Sequence, residues 1–211
     1  MTITHAVVGF AALAAVLTII PGLDTTLVLR TALIRGRQHG FAAIFGICFG
    51  ALTWGIAAAL GAAALLAASE IAYRAVTVAG ALYMTYLGVS MIVKSFRTPS
   101  TETNVDVSSA QVSWWRSFLT GYWTNLLNPK IGVFYIATIP QFIPPGVSHL
   151  GMGVLLAGVH AVLGVIWLST VALGASAARR WIANARSLRI IDRIAGTILV
   201  GFGIKLAADS T

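Results

Sequence analysis

The sequence predicts an all-α integral membrane protein with six transmembrane helices. They are built as two inverted three-helix repeats, with helices one and four broken at Pro-Gly and Asn-Pro. Three observations predict this. Of 211 residues, 58% are hydrophobic and only 9% charged, against roughly a quarter charged in an ordinary soluble domain. The apolar residues gather into six runs, most of them at least as long as the ~20 residues that cross a bilayer core of ~30 Å. The basic residues concentrate in alternate connections between those runs. Together these features exclude a soluble globular enzyme, a disordered chain and a disulfide-stapled secreted module. The net charge of +8 is interleaved with apolar runs rather than displayed on a soluble face, so it argues for membrane orientation and against nucleic acid. The single cysteine, Cys48, lies inside an apolar run and offers neither a disulfide nor a metal site.

The runs are read between charges. Residues 2–34 are apolar except for Asp24 and Arg30, and residues 40–68 and 75–93 carry no charge. Residues 117–147 carry only Lys130, residues 150–178 none, and residues 190–208 form a weaker sixth run with Asp192, Arg193 and Lys205 near its ends. The first run has no Lys or Arg before it and is longer than the apolar region of a signal peptide, so no cleaved signal is expected. Arg30, Arg35 and Arg37 follow span one, Lys94, Arg97 and Arg116 follow span three, and Arg179, Arg180, Arg186, Arg189 and Arg193 follow span five. These alternate connections hold 11 of the 14 basic residues, and the opposite side holds Arg74 and Lys205. The positive-inside rule then places both termini outside. Residues 97–111 read as a flexible cytoplasmic linker rich in Ser and Thr, which divides the chain into a first repeat (1–96), a linker (97–113) and a second repeat (114–211). Residues 177–188 read either as a basic interfacial helix anchored by Trp181 or as a solvated charge run.

Each half has three spans, an odd number, so the second half enters the membrane from the opposite side. Phe10 precedes Pro21 by 11 residues and Phe118 precedes Pro129 by 11. Ala79-Gly80 with Gly88 is matched by Ala195-Gly196 with Gly203. Inverted repeats with interrupted helices at corresponding positions are the sequence signature of alternating-access transporters.

The interruptions carry the chemistry. Residues 4–34 would extend about 45 Å as one straight helix, and Pro21-Gly22 sits well inside. Proline removes a backbone donor and glycine admits conformations closed to other residues. Asp24 follows, suited to cap a second half-helix. Span four repeats the device at Asn125-Leu126-Leu127-Asn128-Pro129-Lys130, with Asn128 as a favourable N-cap, Pro129 at the first helical position and Lys130 near mid-depth. A charge there costs several kcal/mol on insertion scales unless it finds a partner or water. One reading makes Asp24 a cap and lets Lys130 snorkel or form a static bridge to Asp24. The other makes them a switchable pair in a polar cavity at the repeat interface. There, two half-helix N-termini and Lys130 receive a substrate carboxylate, and Asp24 holds the substrate ammonium or a coupling proton. Pro21, Gly22, Asp24, Asn125, Asn128, Pro129 and Lys130 are the candidate translocation residues.

Other residues are weaker candidates. His160 is expected to be a buried, hydrogen-bonded histidine ahead of a proton relay. Gln141 is expected to end a helix. Trp54, Tyr83, Tyr86, Tyr122, Trp123 and Tyr135 are expected to pack or to sit at the interface, and Gly46 and Gly50 to allow close helix contact. No metal-ligand spacing, phosphate loop or nucleophile-base order stands out, so neither a cofactor nor catalysis is expected.

The ordered set of motifs resembles the lysine exporter (LysE/RhtB) family of amino-acid efflux proteins. Ile20-Pro21-Gly22-Leu23-Asp24 with Leu29-Arg30, Gly36, Gly40, Gly46, Gly50 and Gly61 is similar to its opening pattern. Gly80-Ala81-Leu82-Tyr83 with Tyr86-Leu87-Gly88 resembles its third span. Asn125 through Lys130 with Phe134 and Ile139-Pro140-Gln141-Phe142 resembles its Asn-Pro-Lys and Pro-Gln-Phe block. The family usually carries a second proline where this chain has Leu23, which implies a milder break. The resemblance implies a multi-pass inner-membrane exporter of amino acids or related small metabolites, driven by protons. Its partners would be the amino-acid-like solute, protons and the lipid bilayer, with the working unit either a monomer or a homodimer. The competing reading is a membrane assembly protein without transport activity, interacting through residues 179–193.

Overall fold

The computed structural model describes residues 1–96, 113–177 and 185–209. Its regular elements are α1 (Ile3–Ile19), α2 (Leu23–Arg35), α3 (Arg37–Ala68), α4 (Glu70–Lys94), α5 (Trp114–Leu126), α6 (Pro129–Thr138), a 3-10 turn (Ile139–Phe142), α7 (His149–Leu173) and α8 (Ala185–Asp209). By length and composition α3, α4 and α7 can each cross a membrane, and α1 with α2 counts as a fourth, broken span bent by 53°. The helix α8 is 25 residues long, but it carries Arg186, Arg189, Asp192 and Arg193 in its first nine residues and falls outside that apolar class. Almost all of the expected 97–113 linker lies outside the described residues, and so do residues 178–184 with Trp181. Ser113 is described as the N-cap of α5, accepting from the Arg116 amide.

Two helices run past the charge-bounded runs that predict them. Ser69 is the one residue between α3 and α4, and its hydroxyl caps α4 by accepting from the Ala72 amide. Glu70 and Arg74 belong to α4 because they pair across one helical turn at 3.0 Å, a favourable spacing on a helix surface. At the other end of α3, Gly36 joins α2 to α3 with φ of 89°, a conformation that few other residues adopt.

Close backbone crossings set the directions of the helices. A Cβ at Gly46 would strike Phe118 and Tyr122, and one at Gly50 would strike Tyr122 and Asn125, so α3 and α5 run parallel. Gly55 meets Ala157 while Gly153 meets Ala59, so α3 and α7 are antiparallel. Gly88 meets Gly196 and Gly203 meets Ala81, so α4 and α8 are antiparallel as well. Small residues at such crossings let backbones approach where lipid provides no hydrophobic drive between helices. Between the crossings lies a core that includes Phe10, Leu17, Met84, Phe134, Tyr135, Leu156 and Leu199, all buried. The outward surface stays apolar, with Leu82, Tyr86, Val162 and Ile166 all more than half exposed, as expected of a surface that faces acyl chains.

Candidate functional site

The two interruptions meet. At the first, α1 ends at Ile19 and α2 restarts at Leu23, with extended backbone at Gly22. The N-cap of α2 is Gly22, which has no side chain to offer. This corrects the expectation that Asp24 caps the half-helix. Asp24 lies in the first turn, and its Oδ2 accepts instead from Nδ2 of Asn125, 101 residues away, at 2.9 Å.

At the second interruption, α5 ends at Leu126 and α6 begins at Pro129. Asn128 is the N-cap, as expected, and its Oδ1 accepts from the Lys130 amide at 3.1 Å. In an unbroken helix that amide would bond the carbonyl of Leu126. Here the Trp54 indole takes its place, donating to the Leu126 carbonyl at 3.0 Å. Trp54, expected to pack or to sit at the interface, therefore seals the break. Its ring lies against Gly132, where a Cβ would come within 2.6 Å of it.

Gly22 and Lys130 bring the two breaks together. A Cβ on Gly22 would sit 3.2 Å from Lys130 Nζ, so glycine leaves that space to the ammonium. Asp24, Asn125, Asn128, Lys130 and Gly22 all line one cavity. Its volume is about 50 Å³, room for a few waters rather than a whole solute. Of the seven candidate residues, five line this cavity, while Pro21 and Pro129 form the breaks beside it.

The polar inventory of the cavity is unbalanced. Asp24 Oδ1 is buried without a hydrogen-bond partner, and so is Asn125 Oδ1, which packs over Gly50. Among the described residues no ion pair within 4.0 Å joins Asp24 to Lys130. The static bridge is therefore not formed. An acceptor left unmade in a buried site costs about 1–3 kcal/mol, more when charged, so these oxygens are positioned to accept from water or from a solute's donor.

The cavity is also lined by residues outside the seven candidates, among them His160, expected as a buried and hydrogen-bonded histidine, and Cys48, expected inside an apolar run. Leu17 and Thr18 from α1, Cys48 from α3, and His160, Gly164 and Leu168 from α7 line it. His160 is buried, and its Nδ1 lies 2.9 Å from the hydroxyl of the equally buried Tyr135. With Phe10 and Phe134 these rings form a packed aromatic group beside the cavity, Tyr135 and His160 stacked at 5.5 Å. The spacing 160, 164, 168 puts three residues on one helix face and was the available signal. A second cavity between α3, α4 and α6 is larger, about 300 Å³, but its lining (Trp54, Ala58, Leu65, Thr77, Ile136 and others) holds no ionisable group. Gln141 reaches Thr77 at its border, its amide 3.5 Å from the hydroxyl. Among the described residues no cluster of His, Cys, Asp and Glu could hold a metal ion.

The chain is 33% identical to the uncharacterized membrane protein YrhP of Bacillus subtilis, over 95% of this chain and 98% of that one. It is 26% identical to a leucine efflux protein of Klebsiella pneumoniae, over 90% of this chain and 88% of that one. The same identity and coverage hold for a leucine efflux protein of Salmonella choleraesuis. No solved structure matches significantly. The family model of LysE type translocators matches residues 15–210. Broken apolar helices around a charged cavity, and a family match over nearly the whole length, lead to one conclusion: the chain is a multi-pass membrane protein that belongs to the LysE type translocator family, whose members are transporters and not enzymes.

Proposed function

We propose that the protein is a secondary transporter that exports amino acids across the inner membrane, by proton antiport with alternating access. The observation that carries this reading is the orphaned carboxylate oxygen of Asp24 in a cavity shared with the Lys130 ammonium. An α-amino acid is complementary to both groups. Its ammonium donates to Asp24 Oδ1 while Asn125 holds Oδ2, and its carboxylate takes Lys130 Nζ. The N-termini of α2 and α6 add positive ends beside that carboxylate. The leucine efflux relatives support an amino-acid cargo.

Asp24 is the protonation switch. Charged, it holds the substrate ammonium, and protonated it releases it, so a proton entering from outside exchanges for the solute leaving. The chain crosses six times, with α5 and α6 forming one broken span and α8 the last, and with both termini outside. The helix directions support the alternation of spans: α3 is parallel to α5, α3 antiparallel to α7 and α4 antiparallel to α8, as six alternating spans require. Rocking of one repeat against the other then exposes the site to each side in turn.

The test is export of a labelled amino-acid panel from cells expressing the wild type, Asp24→Asn or Lys130→Ala. Wild-type cells are expected to export at least one member, and both variants to lose that flux at normal protein levels. Wild-type rates in both variants would sink the charged-site reading.

A further inference from the structure

The cavity as it stands has room for only a few waters, so the rocking that opens it must also make space for the side chain of an amino acid, and α7 supplies one wall of that space. His160, Gly164 and Leu168 recur every four residues along one face of that helix, and all three line the cavity. His160 and Leu168 are buried, at 7% and 4% exposure. Between them, a Cβ built on Gly164 would meet no atom within 4 Å. At the helix crossings the glycines have backbone from a neighbouring helix in the place of a Cβ. At Gly164 that place is empty, and it opens onto the cavity.

The remaining lining decides what fills it. Leu17, Ile47, Ala51, Ile131 and Leu168 are apolar. Thr18 turns its hydroxyl back onto the Ala14 carbonyl at 2.6 Å. The ionisable side chains that face the space are Asp24, Lys130, Cys48 and His160. Asp24 and Lys130 are used by the α-ammonium and α-carboxylate, the Cys48 thiol points to the Ala161 carbonyl at 3.6 Å, and His160 is held by Tyr135. Among the described residues, no second carboxylate lines the cavity to face a cationic side chain, and no second permanent cation to face an acidic one.

We propose that the solute is an amino acid with an uncharged aliphatic side chain, and that Gly164 sets the largest side chain the site accepts. The proposal rests on the amino-acid export reading above. Bulk added at 164 fills the hollow from the α7 side, so it penalises a long branched side chain and spares a short one. In an apolar pocket, one methylene of misfit changes discrimination by about 10–200-fold.

The experiment is counterflow in proteoliposomes with labelled leucine, alanine and lysine, for the wild type, Gly164→Ala and Gly164→Val. The wild type is expected to move leucine and alanine and to leave lysine near background. Gly164→Val should lower the leucine-to-alanine rate ratio at least tenfold, with Gly164→Ala in between. Because a ratio within one preparation is read, partial loss of folded protein cancels. If Gly164→Val moves neither solute, Gly164→Ala decides, since it adds one methyl to open space. An unchanged ratio in the variants while wild type moves leucine overturns the Gly164 assignment alone. Lysine moved as fast as leucine overturns the aliphatic class. A wild type that moves no amino acid removes the export reading and this one with it.

Discussion

Replacing Lys130 with methionine separates a structural charge from a working one. If Lys130 served a buried salt bridge, its removal would strand Asp24 and cost about 3–5 kcal/mol. The geometry argues otherwise, because Lys130 and Asp24 are not within 4.0 Å and share a cavity with room for water. Beyond 4.0 Å, at an effective dielectric between 20 and 80, their attraction stays below about 1–4 kcal/mol. Against this loss, methionine removes the penalty of holding an ammonium in a site with room for only a few waters, several kcal/mol for a buried ion. Lys130→Met is therefore expected to melt at or above the wild-type temperature in detergent. Transport should fall steeply in the same variant, since losing a charged partner for the substrate carboxylate is worth about 2–5 kcal/mol. A thermal melt and a leucine counterflow assay on one preparation read both quantities. A variant that is destabilised by about 3 kcal/mol or more and still transports would refute the reasoning and restore the static bridge.

Two further perturbations test the cavity and its surroundings. Cys48 is the chain's only cysteine and lines the cavity, so alkylation by N-ethylmaleimide should inactivate the wild type and leave Cys48→Ala unaffected. At a leucine concentration ten times half-saturation, the alkylation rate should drop about tenfold by mass action, and a rate indifferent to leucine would place the solute elsewhere. Tyr135→Phe leaves buried His160 without its 2.9 Å partner and should destabilise the protein by about 1–3 kcal/mol. The double variant Tyr135→Phe with His160→Leu should recover much of that in a thermal melt, and a single variant as stable as the wild type would show that the pair holds nothing together.

The parts of the molecule legible in the sequence are those dictated by local chemistry. Uncharged runs announce α3, α4 and α7, and the breaks follow from Pro21-Gly22 and Asn128-Pro129, whose backbones cannot continue a helix. The convergence of Asp24 and Lys130 on one cavity could be anticipated because two isolated charges in lipid must be accommodated somewhere. The partner of Asp24 could not. Local propensity favoured a cap, but Asn125 reaches the carboxylate from 101 positions away, and such a contact exists only after the helices have packed. The same holds for the Trp54 bond to the Leu126 carbonyl and for the empty space at Gly164, which depends on where neighbouring helices stop rather than on the glycine itself.

The crossings at Gly46, Gly88 and Gly196 have a consequence for how this chain can vary over generations. At each of them the space a side chain would occupy already holds the main chain of another helix. Glycine is the smallest residue available, so no conservative exchange exists there, and every missense change is an enlargement. Drift is left to the surface that meets lipid, where one bulky aliphatic group can stand in for another. In a mutational census of this protein, its plainest residues would be the least replaceable ones.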